Sequence, residues 1–162
     1  MLLQEYYAIK GQPWMLLVSC MLLNLTTRKQ VDSVREQLFG RYHAADMMAA
    51  ADRLELHEMI SSLGFANRRT DALIRMSTEY VRNGIHSCSS AEEVGMLYGI
   101  GKYATDSWAI FISLRPDVKP SDKELMRYMQ RAVKCRDCGN LLIFGFEQAL
   151  GRHSITKWVC SG

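Results

Sequence analysis

Prolines stand only at positions 13, 116 and 120 of this 162-residue chain. Across the roughly one hundred residues between the first two, none lacks a backbone N–H, so no proline breaks a helix there. The hydrophobic pattern uses that freedom. Leu56, Met59, Ile60 and Leu63 recur at i, i+3, i+4 and i+7, which predicts one face of a helix that Gly64 closes. Val31, Val34 and Leu38 form a second apolar stripe. Leu73, Met76 and Tyr80 form a third, flanked by Ile74 and Val81 and ended by Asn83-Gly84. Ser90-Ala91-Glu92-Glu93 has the capping-box pattern and opens a short helix to about Tyr98. After Pro120-Ser121, the residues Leu125, Tyr128, Met129, Ala132 and Val133 repeat the helical spacing. No stretch alternates apolar and polar residues long enough to demand a sheet, so the expectation is all-α, with about nine or ten short helices.

Composition narrows the class further. With 48% hydrophobic and 23% charged residues the chain can build a core, which excludes disorder. The longest apolar run, Pro13–Leu23, is interrupted by Ser19 and falls short of the ~20 residues that span a bilayer. Met1-Leu2-Leu3-Gln4-Glu5 has no basic region and is a poor secretory signal, so neither a membrane nor a secreted protein is expected. Five cysteines without framework spacing read as free thiols in a reducing compartment. A net charge of +3 leaves no overall repulsion toward phosphate. The one composition change, at residues 114–121 (Leu-Arg-Pro-Asp-Val-Lys-Pro-Ser), reads as a linker that delivers Asp122 to the start of the next helix.

The most informative local pattern is Leu97-Tyr98-Gly99-Ile100-Gly101-Lys102-Tyr103-Ala104, between a short helix and the apolar run Trp108, Ile110, Phe111, Ile112. Two glycines one residue apart permit a tight reversal, and Ile100 between them would plug it into the core. The helix that starts there points unpaired N–H groups and its positive dipole end at the turn, which suits a phosphate oxygen. A Walker loop does not fit, because Gly95 is one residue too far from Gly101-Lys102 and Tyr103 stands where magnesium needs a small hydroxyl. The dinucleotide fingerprint matches as Gly99-x-Gly101-x-x-Ala104, but it requires a preceding strand where residues 90–97 read as helix. A plain glycine turn between packed helices is the alternative.

Helix, G-h-G hairpin, helix is the arrangement of a helix-hairpin-helix DNA-binding element, and other segments join it. They are Gln4-Glu5, Pro13-Trp14 with Leu16-Leu17, Leu23-Asn24-Leu25-Thr26-Thr27, and Leu63-Gly64-Phe65 with Arg69. Ser77-Thr78-Glu79-Tyr80, Asp106-Ser107 and Pro120-Ser121-Asp122-Lys123-Glu124-Leu125 complete the set. Together they make a chain that resembles the helix-hairpin-helix DNA glycosylase superfamily of endonuclease III, from the N-terminus to about residue 133. The likeness is greatest to the glycosylase domain of the methyl-CpG-binding thymine glycosylases. The resemblance implies a two-lobed helical fold with the active site in the cleft between the lobes. One lobe, a six-helix barrel, would be residues 14–113 with the hairpin at about 90–112. The other would be residues 1–13 plus 114–162 and would carry the catalytic aspartate.

The resemblance also implies chemistry. In the family an aspartate about twenty positions after the hairpin drives reaction at the sugar C1′, and Asp122 lies nineteen positions after Tyr103. Cleaving an N-glycosidic bond develops positive charge on the deoxyribose, which a carboxylate stabilises while it positions water. Asp122 also reads as an ordinary cap of the helix beginning near Lys123. Endonuclease III has a Schiff-base lysine where this chain has Tyr103, and a phenol forms no imine. The resemblance thus implies a monofunctional glycosylase in base excision repair, with Tyr103 lining the base pocket; a buried structural aromatic is the alternative. It would release uracil or thymine mispaired with guanine and leave an abasic site.

The hairpin residues Gly99, Ile100, Gly101 and Lys102 would hold the DNA backbone. Gln4 matches the glutamine that reads the flipped pyrimidine, although two extra residues separate it from Pro13-Trp14; otherwise it is a solvated residue on a first helix. Family wedges come from the loops represented by Leu25 and by Leu63, Gly64 and Phe65, but the thymine glycosylases have arginine where Leu25 stands, and Leu63 also reads as core. Arg68, Arg69, Lys119 and Lys123 are candidates for phosphate contact, or simply solvated charge. The implied partner is double-stranded DNA with a damaged or mismatched pyrimidine, bound by a monomer inside the cell with the DNA, without a cofactor. Endonuclease III's iron–sulfur spacing is absent, and Cys135-Arg136-Asp137-Cys138 with His153 and Cys160 has no familiar zinc spacing, so no metal is expected. Two other readings stand beside this one: a non-catalytic helix-hairpin-helix module, and a bifunctional lyase using another amine.

Overall fold

The computed structural model describes residues 1–134 and 141–142. In chain order its helices are α1 (Leu3–Ile9), α2 (Pro13–Leu23), α3 (Arg28–Arg41), α4 (Ala45–Ala49) and α5 (Arg53–Ile60). A single 3-10 turn (Ser61–Leu63) follows, then α6 (Ala66–Arg82), α7 (Ala91–Gly95), α8 (Lys102–Phe111) and α9 (Lys123–Arg131). Their starts follow local chemistry. Pro13 opens α2, where a missing N–H costs nothing. Thr27 with Gln30, and Ser90 with Glu93, close reciprocal capping boxes on α3 and α7. Asp52 caps α5 by accepting from the Glu55 N–H at 2.8 Å.

Helix α2 is the centre. Eight of its eleven residues are buried, so it is apolar on nearly every side rather than amphipathic. It packs against α1, α3, α6 and α8, while α4 and α5 lie on α6 and α7 lies on α8. Two tryptophans tie this core together without leaving an indole N–H unpaired. Trp14 Nε1 donates to Ser77 Oγ at 3.0 Å, and Trp108 Nε1 donates to the Ser89 carbonyl at 2.8 Å. The stripes of α3 (Val31, Val34, Leu38) and α6 (Leu73, Met76, Tyr80) are buried. Fully burying each such aliphatic side chain contributes about 1.5–3 kcal/mol.

The all-α expectation holds for the body of the chain, with corrections at element ends. The helix opened by Ser90 stops at Gly95, because Met96 and Leu97 turn back with short-range bonds to Glu93 and Val94. The helix read through Val133 stops at Arg131. Ala132 is extended (ψ 136°), and Val133 and Lys134 pair antiparallel with Leu142 and Leu141. A ladder partner satisfies those backbone groups as well as another helical turn would. No described helix is long and apolar enough to cross a membrane.

Candidate active site

A cleft of about 1320 Å³ opens where the end of α2, the start of α1, the entry to α6, the glycine hairpin and the segment before α9 converge. Gly99, Gly101, Lys102, Tyr103, Gln4, Leu25 and Asp122 all line it. Five stretches separated in sequence are thereby brought to one surface.

The hairpin is built by conformation and by an anchor from α6. Gly99 adopts φ +75°, and a Cβ there would come within 3.1 Å of Met21 Cε. Gly101 is the N-cap of α8 with no side-chain cap, and a Cβ there would meet open space. The N–H groups of Lys102 and Tyr103 therefore have no intrahelical acceptor and face the cleft end of the helix dipole. Just before the turn, the Tyr98 N–H donates to Glu79 Oε2 at 2.6 Å. Arg75 pairs with the other Glu79 oxygen at 3.0 Å and lies 3.9 Å over the Tyr98 ring. Burden on the hairpin's shape thus falls partly on Glu79, whose carboxyl is held below its usual range chiefly by that backbone bond. Ile100 is half-buried against the core. Lys102 reaches back to Asp106, with Nζ 2.8 and 2.9 Å from its oxygens.

Behind the hairpin, Gln4 is 1% exposed and its Nε2 donates to the Tyr103 hydroxyl. It is not a solvated helix residue. The Cys20 thiol lies against Gln4 and Ser107, and burial pushes it up to about 12, with the Asp122 carboxylate adding to the shift. It stays a neutral thiol rather than a nucleophile. Burial likewise raises the Tyr103 phenol, reinforced by Cys20, Asp122 and Glu124. Asp122 is therefore felt electrostatically by both pocket groups. Its Oδ1 accepts from the N–H groups of Glu124 and Leu125, each at 2.9 Å, so it caps α9 while lining the cleft. The two readings of Asp122 are compatible: one oxygen is fixed by the helix end, and Oδ2 accepts none of the described hydrogen bonds.

The far rim corrects one expectation and sharpens another. Leu63 is 4% exposed in the core and does not line the cleft; nor does Gly64, which turns the chain with φ +73°. The residue that stands out is Phe65, 68% exposed, which lines the cleft as Leu25, 80% exposed, also does. The 3-10 turn carries Leu63 inward, so the following glycine sends Phe65 outward. Arg69, a candidate for phosphate contact, instead spends its guanidinium on three backbone carbonyls, those of Gly64 (2.9 Å), Met21 (2.9 Å) and Asn24 (2.6 Å). Arg68 lines the cleft beside it. Cys20 is the residue that sequence reading misses, since a thiol in an apolar helix does not announce which surface it reaches; Phe65 is among the wedge-loop residues, and the structure picks it out from Leu63 and Gly64.

Among the described residues, no three His, Cys, Asp or Glu side chains gather as metal ligands. Cys135, Cys138, His153 and Cys160 lie outside the described residues.

Comparisons with known proteins agree with this architecture. The chain is 38% identical over 117 residues to a methyl-CpG-binding domain protein 4-like protein of Arabidopsis thaliana, covering 72% of this chain and 25% of the relative. It is 31% identical over 123 residues to a thymine/uracil-DNA glycosylase of Pyrobaculum aerophilum, covering 75% and 53%. It is 30% identical over 140 residues to a thymine-DNA glycosylase of Aeropyrum pernix, covering 80% and 62%. The chain thus spans between a quarter and about three-fifths of the length of these relatives. Its fold matches that of a thermostable thymine-DNA glycosylase with TM-score 0.58 at 16% identity, over 68% of this chain and 56% of that one. A trapped endonuclease III–DNA covalent intermediate matches with TM-score 0.63 at 19% identity, over 90% and 68%. Residues 18–140 match the family model described as HhH-GPD superfamily base excision DNA repair protein. With that family model matching residues 18–140, most of its length, and a helical fold shared with two solved structures, the chain belongs to the HhH-GPD superfamily of base excision DNA repair proteins.

Proposed function

We propose that this chain is a monofunctional DNA glycosylase that hydrolyses the N-glycosidic bond of uracil or thymine mispaired with guanine, leaving an abasic site. The observation that carries the reading is the meeting of Gln4, Tyr103 and Asp122 in one cleft, with the uncapped start of α8 at its edge. The names of the relatives, a thymine/uracil-DNA glycosylase and a thymine-DNA glycosylase, support the substrate class.

The residues suggest a division of labour. The bare N–H groups at the hairpin hold a phosphate, while a pyrimidine swung out of the duplex enters beside Gln4 and Tyr103. As the C1′–N bond breaks, its electron pair leaves with the base and positive charge grows on the sugar. The Asp122 carboxylate stabilises that charge and orients the water whose oxygen bonds to C1′; the proton this water loses passes to the carboxylate, and a proton from solvent neutralises the departing base anion. Tyr103 supplies no amine, so the reaction ends at the abasic site without strand cleavage. The partner is double-stranded DNA, bound by a monomer, and the protein works where the DNA is. In this reading residues 1–13 with 114–162, of which 135–140 and 143–162 lie outside the described residues, form the lobe that brings Asp122 to a barrel lobe of residues 14–113.

The test is incubation of purified protein with duplexes holding G·U, G·T and other lesions, followed by alkali cleavage at abasic sites. Strand breaks appearing only after alkali, without borohydride-trapped adduct, are expected. DNA binding with no product on any pyrimidine lesion would overturn the activity and leave a binding module.

A further inference from the structure

We propose that Arg69 is a positioning residue that holds Leu25 and Phe65 as a single two-pronged apolar wedge; this deepens the glycosylase reading and rests on it. Both prongs are large, exposed and apolar, and both carry a left-handed backbone, with φ 58° at Leu25 and φ 51° at Phe65. A branched or aromatic residue does not rest in that region unless its surroundings hold it there. The two prongs lie on different loops, one after α2 and one before α6, forty residues apart in sequence.

One side chain fastens both. Arg69 Nη2 donates to the carbonyl of Asn24, the residue before Leu25, and Nε donates to the carbonyl of Gly64, the residue before Phe65. Nη1 takes the Met21 carbonyl, one of the orphan acceptors at the end of α2, where a cation also meets the negative end of the helix dipole. The Arg69 N–H donates to the Phe65 carbonyl at 2.9 Å, so the backbone of α6 steadies the same prong. The guanidinium reaches three separate carbonyls from three nitrogens held in one plane; a lysine ammonium has its three donors on a single nitrogen and does not span them. Apolar side chains held this way suit the gap left in a base stack when a nucleotide is extruded. With one N–H of each guanidinium nitrogen engaged by a carbonyl, Arg69 acts on DNA through the prongs.

The experiment uses a duplex with 2-aminopurine next to a uracil opposite guanine, and a second duplex whose uracil faces an abasic gap. Wild type should raise 2-aminopurine fluorescence on binding. Arg69→Lys, which keeps the charge at the end of α2, should bind within about threefold of wild type but lose most of that rise. Its excision from the G·U duplex should fall about tenfold, while excision of the gap-facing uracil stays within about twofold. In an Arg69→Lys background, Phe65→Gly should add little further loss, because a wedge already out of place cannot be lost twice. Equal losses on both substrates, or a wild-type fluorescence rise in Arg69→Lys, would overturn the proposal. Failure of the glycosylase reading gives a different result: wild type releases no base from either duplex, and the fluorescence comparison alone decides the role of Arg69.

Discussion

The side-chain amide of Gln4 donates a hydrogen bond to the phenol of Tyr103, joining residues ninety-nine positions apart at the back of one cleft. The bond fixes α1 onto α8 and aims both groups at the same space. Tyr103→Phe leaves a buried amide short of a partner, so it should destabilise the fold by about 1–3 kcal/mol. Combined with Gln4→Ala, the two losses should be non-additive by roughly 0.5–3 kcal/mol in a double-mutant cycle read by urea unfolding. Strict additivity would mean that the bond does not contribute.

Asp122 has two tasks that a conservative change separates. Asparagine caps a helix about as well as aspartate, so Asp122→Asn should leave α9 and the melting temperature nearly unchanged. It removes the charge proposed to face the sugar. Excision from a G·U duplex should then fall by about 10²-fold or more, with DNA affinity retained. Single-turnover assays alongside binding titrations check both halves, and an active Asp122→Asn enzyme would remove the carboxylate from the mechanism.

Phe65 should show a trade between stability and function. It is exposed and left-handed, so Phe65→Gly relieves a conformational cost of about 1–2 kcal/mol while giving up little packing. The variant should melt at or above the wild-type temperature and yet excise more slowly from duplex DNA. Calorimetry and duplex excision, measured on the same preparation, test the pairing.

The two hairpin glycines should fail in different ways. At Gly99, with φ +75° and Met21 Cε 3.1 Å from a new Cβ, alanine should cost about 1–2 kcal/mol of stability. At Gly101, where φ is −109° and nothing lies within 4 Å, alanine should fold within about 1 kcal/mol of wild type. The added methyl projects into the open space that a phosphate approaching the start of α8 would need, so DNA binding should weaken regardless. Melting curves and salt-dependent binding separate the two effects.

Much of this molecule is local, and that part is legible from residue order. The absence of proline, the 3.6-residue apolar spacing and the capping boxes at Thr27 and Ser90 act within a few residues, so they set the helices wherever the chain later goes. The glycine pair that shapes the hairpin is of the same kind. Packing and pairing between distant segments set the rest. Leu63 and Phe65 are both apolar and flank one glycine, yet only the descent of the 3-10 turn into the core decides which is buried. Arg69 reads like a phosphate-binding cation until the carbonyls of Asn24 and Gly64 are seen around its guanidinium. Gln4 reads as a pocket glutamine or as a solvated one until α1 docks on α8. A side chain's type is written in the sequence, but its burial and its partners depend on surfaces that exist only after distant helices have come together.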